Sequence, residues 1–384
     1  MQKIGVGEVK ISWAAQMNVL KALSDNRLSY GPWSQEFERR FSELHGKRFA
    51  CFVNSGTSAL RISVAALNEK YGWQDGDEVL VPALTFVASL NVILSNGLTP
   101  VLVDIDQYFG MDLSHVAAIV GRREAAGEKQ PVAVMPVHLF GQTANPDIRR
   151  FCNLLGIKTI ADSCETIGVP GCADGELAAF STYNAHLIQT GVGGLALTDD
   201  PELAALVRSL ANHGRSGVYS SIDDKMGVRE TMDARFHFDR PGFSFRATEL
   251  EAAIGCAELD VWLDNKNARQ RNAAYLHQKL RLPLELPKVR PGADHVYMMF
   301  PVLARTEQER NALEVHLENA GIETRRCLPL TSQPYVKRLM GEGVEDRFPA
   351  AKRVNQCGLY FGCHQYMTQS DLDRIVESIS DFYR

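Results

Sequence analysis

RFACFVNSGTSALRISVAALNEKYG, residues 48–72, sets the architecture of this 384-residue chain. Phe49 to Val53 is apolar on successive residues, as a strand is when helices cover both faces of its sheet. Asn54-Ser55-Gly56 then breaks the run, and Thr57 to Gly72 has the pattern of a helix. A strand that turns at once into a helix leaves free amides and the positive end of the helix dipole facing outward, a place for a phosphate, and Gly56 lets such a group approach the backbone. By itself the turn reads equally well as a helix start with Thr57 or Ser58 as an ordinary cap.

Outward from that unit the alternation continues to about Leu197. EVLVPAL precedes FVASLNVILSNG, TPVLVDID follows, PVAVMPVH precedes NPDIRRFCNLLG, and IKTIADS, ELAAFSTY and GGLALTDD complete the set. Apolar strands separated by helical patterns predict an α/β large domain with a mostly parallel sheet and ligands gathered at the carboxyl ends of its strands. A polar stretch, residues 214–243, is longer than most connections in compact domains and reads as a binding or subunit-contact loop. The helical run from Ala247 leads into a smaller α/β unit with a strand VYMMFPVLA, a helix RNALEVHLENAG and a last helix capped by Thr368 or Ser370. We place the large domain at 1–260, including an amino-terminal helical segment, and the small carboxy-terminal domain at 261–384.

Composition removes several classes of function. A formal charge of −5 offers no field for a polyanion, and no basic stripe appears, so nucleic acid is not an expected partner. No apolar run has the length of a membrane span or the form of a signal peptide, which predicts a cytoplasmic protein with no membrane partner. Eight scattered cysteines in apolar segments read as reduced core thiols. Cys363-His364 lies six residues after Cys357, but no second pair completes a ligand set, so no metal site is expected.

Asp162 ends the strand IKTIAD and is followed by Ser163-Cys164-Glu165. A carboxylate there suits the protonated nitrogen of a pyridine ring, or simply caps a turn. The glycines of Thr190-Gly191-Val192-Gly193-Gly194 precede a strand, not a helix, so they are not a dinucleotide fingerprint.

The order of blocks is more specific than any one of them. GPWSQEFERRFSELHG, VNSGTSAL, VPALTFVASLNVI, GLTPVLVDID, PVHLFGQTAN, IADSCETIG, FSTYNAHLIQTGVGGLALT, NHGR, PGFSFRATELEAAIG and LYFGCHQYMTQSDLDRIV together resemble the DegT/DnrJ/EryC1/StrS sugar aminotransferase family over nearly the whole chain. The resemblance implies an aspartate-aminotransferase-like (fold type I) architecture, pyridoxal 5′-phosphate or pyridoxamine 5′-phosphate as cofactor, a nucleotide-sugar substrate, an amino donor such as L-glutamate, and a homodimer. It puts Gly56, Thr57 and Ser58 on the phosphate-cradling turn with Ser181 as a further phosphate ligand. Phe86 falls where an aromatic stacks on the ring, Asp162 on the ring nitrogen's partner, and Glu165 beside the ring hydroxyl, where Gln or His is usual. Ser244 replaces the family's Asn that reaches the partner subunit's phosphate, and Val192 stands where Glu is common.

The family's Schiff-base lysine is His186 here. An imidazole cannot tether the cofactor covalently, yet it titrates near neutrality and serves as a base. That exchange resembles the family's dehydratase subgroup, GDP-4-keto-6-deoxymannose 3-dehydratase among them. The Asp162-x-Cys164-Glu165 run and GLYFGCHQ resemble it too. Residues 214–243 hold no cysteine, unlike the iron–sulfur CDP-sugar branch. The expected activity is therefore 3-deoxygenation of a nucleotide-linked 4-keto-6-deoxy sugar with His186 as catalytic base. Transamination of the same substrate class, and a cofactor-binding pseudo-enzyme, are the alternatives. His138 and His213 read as structural, and Arg215, Arg325 and Arg326 are weak candidates for a diphosphate.

Overall fold

The computed structural model describes residues 3–216, 236–280, 283–327 and 330–384, so most of the long polar loop, 217–235, lies outside the described residues. The first two helices are α1 (Trp13–Ser24) and α2 (Pro32–Leu44). Next come β1 (Phe49–Val53), α3 (Gly56–Tyr71), β2 (Glu78–Pro82), α4 (Val87–Leu94), β3 (Thr99–Val103) and α5 (Leu113–Ala126). β4 (Ala133–Val134), α6 (Pro146–Leu154), β5 (Lys158–Asp162), β6 (Leu177–Ser181), β7 (Gly194–Thr198) and α7 (Pro201–Ala211) follow. The seven strands form one sheet in the order β1-β7-β6-β5-β4-β2-β3. Pairings from β3 across to β6 are parallel, whereas β7 runs antiparallel to both neighbours.

α3 carries Leu60, Ile62 and Leu67, each with at most 1% exposure. Each such side chain contributes about 1.5–3 kcal/mol by leaving water, which fixes the helix start against the sheet. Gly72 ends α3 in the left-handed conformation at φ 64°, where a β-carbon would be strained. At the outer edge of β1 the backbone is satisfied by side chains: Phe52 N–H donates to Glu38 (2.7 Å), and Arg208 donates to Ala50 C=O (2.8 Å).

The helical run after Ala247 is two helices, α8 (Glu249–Asp260) and α9 (Trp262–Lys279), meeting at Val261. Beyond them lie β8 (Met299–Leu303), α10 (Glu307–Asn319), β9 (Thr324–Arg326), α11 (Pro334–Met340), α12 (Pro349–Cys357), β10 (Gly358–Gly362) and α13 (Gln369–Phe382). The antiparallel sheet β8-β10-β9 has its own core, built on Phe300, Phe361, Leu313 and Ile375. Thr368 is the cap of α13, with Asp371 completing a capping box. Ile4 also belongs to this second core and bridges Ile322, so the amino terminus is packed with the carboxy-terminal sheet. All eight cysteines are free thiols. Among the described residues no helix is long and apolar enough to cross a membrane, and no three His, Cys, Asp or Glu side chains gather at metal-binding distance.

Candidate active site

The carboxyl ends of β1, β5 and β6 open onto one cavity of about 410 Å³, lined also by Met299 and Tyr360 of the smaller sheet and by Met298 just before it. Gly56, Thr57, Phe86, Asp162, Glu165, Ser181 and His186 all line it, whereas Ser58 and Ser244 do not. Its wall is mostly apolar and includes no lysine or arginine among the described residues.

At the start of α3 the cap is Ser55 and not Thr57 or Ser58: its Oγ accepts from Ser58 N–H (3.0 Å). Ser58 Oγ turns away from the cavity to donate to Asn54 Oδ1 (2.7 Å), so its hydroxyl is spent inside the turn. The first backbone bond of the helix runs from Ala59 N–H to Ser55 C=O (3.0 Å), which leaves the Gly56 and Thr57 amides ahead of it. A β-carbon on Gly56 would stand 2.7 Å from Ser181 Cβ and 2.8 Å from Cys164 Sγ, so only glycine lets the helix start sit this close to β6.

Asp162, 4% exposed, is held at the end of β5 by two donors: Ser89 Oγ (2.7 Å) and Cys164 N–H (3.2 Å). The second bond makes it a turn cap as well, so both readings of this residue are realised. Thr85 Oγ1 lies 2.8 Å from Ser89 Oγ and extends the chain. Burial pushes the Asp162 carboxyl up, against these hydrogen bonds, which pull it down. Glu165 accepts from Phe140 N–H (2.9 Å), and burial, with Asp162 nearby, pushes it up to about 7. Phe140 itself adopts φ 59°, a left-handed conformation rare for an aromatic residue. Burial likewise raises the Cys164 thiol well above its ordinary range, which disfavours its thiolate.

His186 lies on the loop after β6, half-buried, its ring edge-on to Tyr183 at 6.0 Å. Its Nδ1 is 3.4 Å from Ser181 C=O. A carbonyl only accepts, so a hydrogen bond here requires the proton on Nδ1 and leaves the lone pair on Nε2. Burial pushes this imidazole down to about 4, hence it is neutral near pH 7. Phe86, 59% exposed, presents an aromatic face at the rim. Ser244 is outside the cavity of its own chain, bridged to Asn212, with its Oγ accepting from Arg246 (3.3 Å). His138 is buried, its Nδ1 accepting from Ala144 N–H (2.9 Å).

An anion, a flat ring and a protonated ring nitrogen thus each have a place: the amides at the start of α3 with Ser181, the face of Phe86, and the buried Asp162. The residues present fit the phosphorylated pyridine cofactor. Sequence reasoning missed Thr85, Ser89, Tyr360 and the two methionines. Thr85 and Ser89 had one signal, an i,i+4 pair of hydroxyls inside the block that carries Phe86.

Over 99% of this chain and 98% of its own length, GDP-perosamine synthase of Caulobacter vibrioides is 31% identical. A crystal structure of a DegT/DnrJ/EryC1/StrS aminotransferase from Brucella abortus superposes with a TM-score of 0.84 at 25% identity, covering 96% of this chain and 95% of that one. The E. coli GDP-4-keto-6-deoxy-D-mannose-3-dehydratase with bound hydrated PLP shares the fold at TM-score 0.84 and 23% identity, covering 98% and 99%. The family's sequence pattern matches residues 10–380, and the chain belongs to the DegT/DnrJ/EryC1/StrS aminotransferase family.

Proposed function

We propose that this protein is a pyridoxamine-phosphate-dependent dehydratase that removes the C3 hydroxyl of a nucleotide-linked 4-keto-6-deoxy sugar. One observation carries the reading: the family's lysine position is His186, and no lysine lines the cavity among the described residues. When bound, the cofactor supplies an amine that condenses with the substrate ketone and a conjugated ring that takes up an electron pair. Gly56, Thr57 and Ser181 would hold its phosphate, Phe86 its face, Asp162 its ring nitrogen, and Glu165 its hydroxyl side.

His186 Nε2 is the atom at which the chain takes up a proton, because Nδ1–H is turned to Ser181 C=O. An imidazole held near 4 also surrenders that proton readily, which suits its return to a departing hydroxyl. Met298, Met299 and Tyr360 line the cavity with bulky side chains that would limit water at the reacting atoms once the ligands are bound. A homodimer, with Ser244 facing the partner's site, is part of this reading.

A second reading, amino transfer to the same class of substrate, is favoured by the relative whose name denotes an amino sugar. The two separate by mass spectrometry of products from pyridoxamine-phosphate-loaded enzyme with L-glutamate and a panel of nucleotide 4-keto-6-deoxy sugars. We expect a product that lacks one hydroxyl and keeps its ketone. An amino sugar would establish the transaminase instead, and an untouched panel a pseudo-enzyme. His186→Asn should lower deoxygenation by about 10²–10⁴ while the cofactor still binds; full activity in that variant removes His186 from the mechanism.

A further inference from the structure

His186 sits at the crest of a loop whose ends are clasped by Thr190 N–H to Thr182 C=O (2.9 Å) and by their two hydroxyls (2.6 Å). Leu187 and Ile188 are fully buried and anchor the loop's descending side. Next comes Gln189, a polar residue only 5% exposed. Its side-chain amide spans two carbonyls: Nε2 donates to His186 C=O (3.3 Å) and to Glu8 C=O (3.2 Å). Its backbone N–H is turned to the carboxylate of Glu258 on α8. One residue therefore holds the peptide of His186, the amino-terminal segment and a helix of the large sheet's outer layer.

The amino-terminal segment is itself fixed. Ile4 exchanges backbone bonds with Gly321 and Glu323 (both 2.9 Å), and Val6 N–H donates to Glu323 Oε2 (3.3 Å). It then crosses the end of β10 so closely that any side chain at Gly362 would collide with Gly5 C=O. Lys10 ends the crossing with its ammonium 4.7 Å from the Tyr366 ring. A strap runs from the smaller sheet to the loop of the base, and Gln189 is the joint.

We propose that Gln189 is a positioning residue for His186, tying the loop that carries it to the amino-terminal strap. The inference rests on the reading of His186 as the base. Its amide donates to two carbonyls, one on its own loop and one on a segment 181 positions away, and so defines where the His186 peptide lies. Proton transfer is sensitive to such placement, since a misplacement of about 1 Å costs on the order of 10²-fold.

The test is Gln189→Met, which keeps length and volume and removes both donors, in the full-length protein. ¹⁵N-histidine NMR of the cofactor-free protein, with His186 assigned from His186→Asn, reads the tautomer; kinetics of the loaded enzyme read kcat and KM. In the native protein we expect the Nδ1–H tautomer. In the variant we expect a shift toward the Nε2–H tautomer that an unconstrained histidine side chain prefers, with kcat falling at least about tenfold and KM changing less than about threefold. An unchanged tautomer with kcat within twofold overturns the proposal while the function reading stands. If the native enzyme deoxygenates nothing, that reading fails, and the tautomer alone decides the positioning. Should the Met variant not fold, Gln189→Asn, which draws the amide back by one methylene, is read the same way.

Discussion

Gly56→Ala puts the least possible volume where the site has no room. The new β-carbon would lie 2.7 Å from Ser181 Cβ and 2.8 Å from Cys164 Sγ. Carbon contacts are comfortable at about 3.5–4.0 Å, so something must retreat by roughly 0.8 Å or more. Ser181 is held by its pairing with Gly194 across β6 and β7, and Cys164 by its N–H to Asp162. The part that yields is the start of α3. Overpacking of this kind costs about 1–3 kcal/mol of stability. The displacement also carries the Gly56 and Thr57 amides away from a bound phosphate, and each hydrogen bond to a charged group is worth about 1.5–3 kcal/mol. With about 1.4 kcal/mol per decade, losing one predicts a Kd for pyridoxamine phosphate raised about 10- to 100-fold. Because His186 allows no covalent tether, a fluorescence titration reads this affinity directly. Urea unfolding of the same sample reads the stability. Cys164→Ala, by removing one of the two colliding atoms, should recover part of both losses. A folded Gly56→Ala protein with native affinity would refute the reasoning, as would a Cys164→Ala background that recovers nothing.

Ser89→Ala leaves Asp162 Oδ2 without its buried hydroxyl donor, and we expect about 1.5–3 kcal/mol of destabilisation by urea unfolding together with weaker cofactor binding. Loss within 0.5 kcal/mol, on the scale of an exposed substitution, would mean that the Ser89–Asp162 bond is idle. Glu165→Gln tests the burial of that carboxyl through pH. Its pKa rises from 4.5 to about 7 on folding, so between those values the folded state binds the proton more tightly than the unfolded chain, and native stability falls as pH rises. The amide has nothing to titrate, so the variant should gain on the native protein by up to about 3 kcal/mol across that window, and a pH-independent difference would contradict the assignment.

Much of the site was legible because its chemistry sits at the junctions of local elements. Asn54 to Ser58, Asp162 to Glu165 and Ser181 to His186 each follow a strand within a few residues, and strand ends of a mostly parallel sheet face one side. The departure at residue 186 was visible in the sequence without any coordinates. The mistaken cap at Thr57 or Ser58 arose because four small polar or glycine residues in a row, Ser55 to Ser58, all suit a helix start. Ser55 wins because its Oγ reaches the Ser58 amide. The single helical run after Ala247 became two helices because apolar spacing does not mark a break at Val261 that lacks glycine or proline.

The sequence by itself determined the strand-turn-helix order, the class of sheet and the histidine at position 186, since these depend on neighbours a few residues apart. Tertiary structure alone decided that Ser89 supports Asp162 across 73 positions, that Met298, Met299 and Tyr360 from the second unit line the cavity, and that Ser244 stays outside it. It also decided that Glu165 is held by a left-handed Phe140 and pushed toward neutrality. Burial, the direction of a hydroxyl and the sign of a backbone angle are set by packing between distant segments, and no local pattern encodes them.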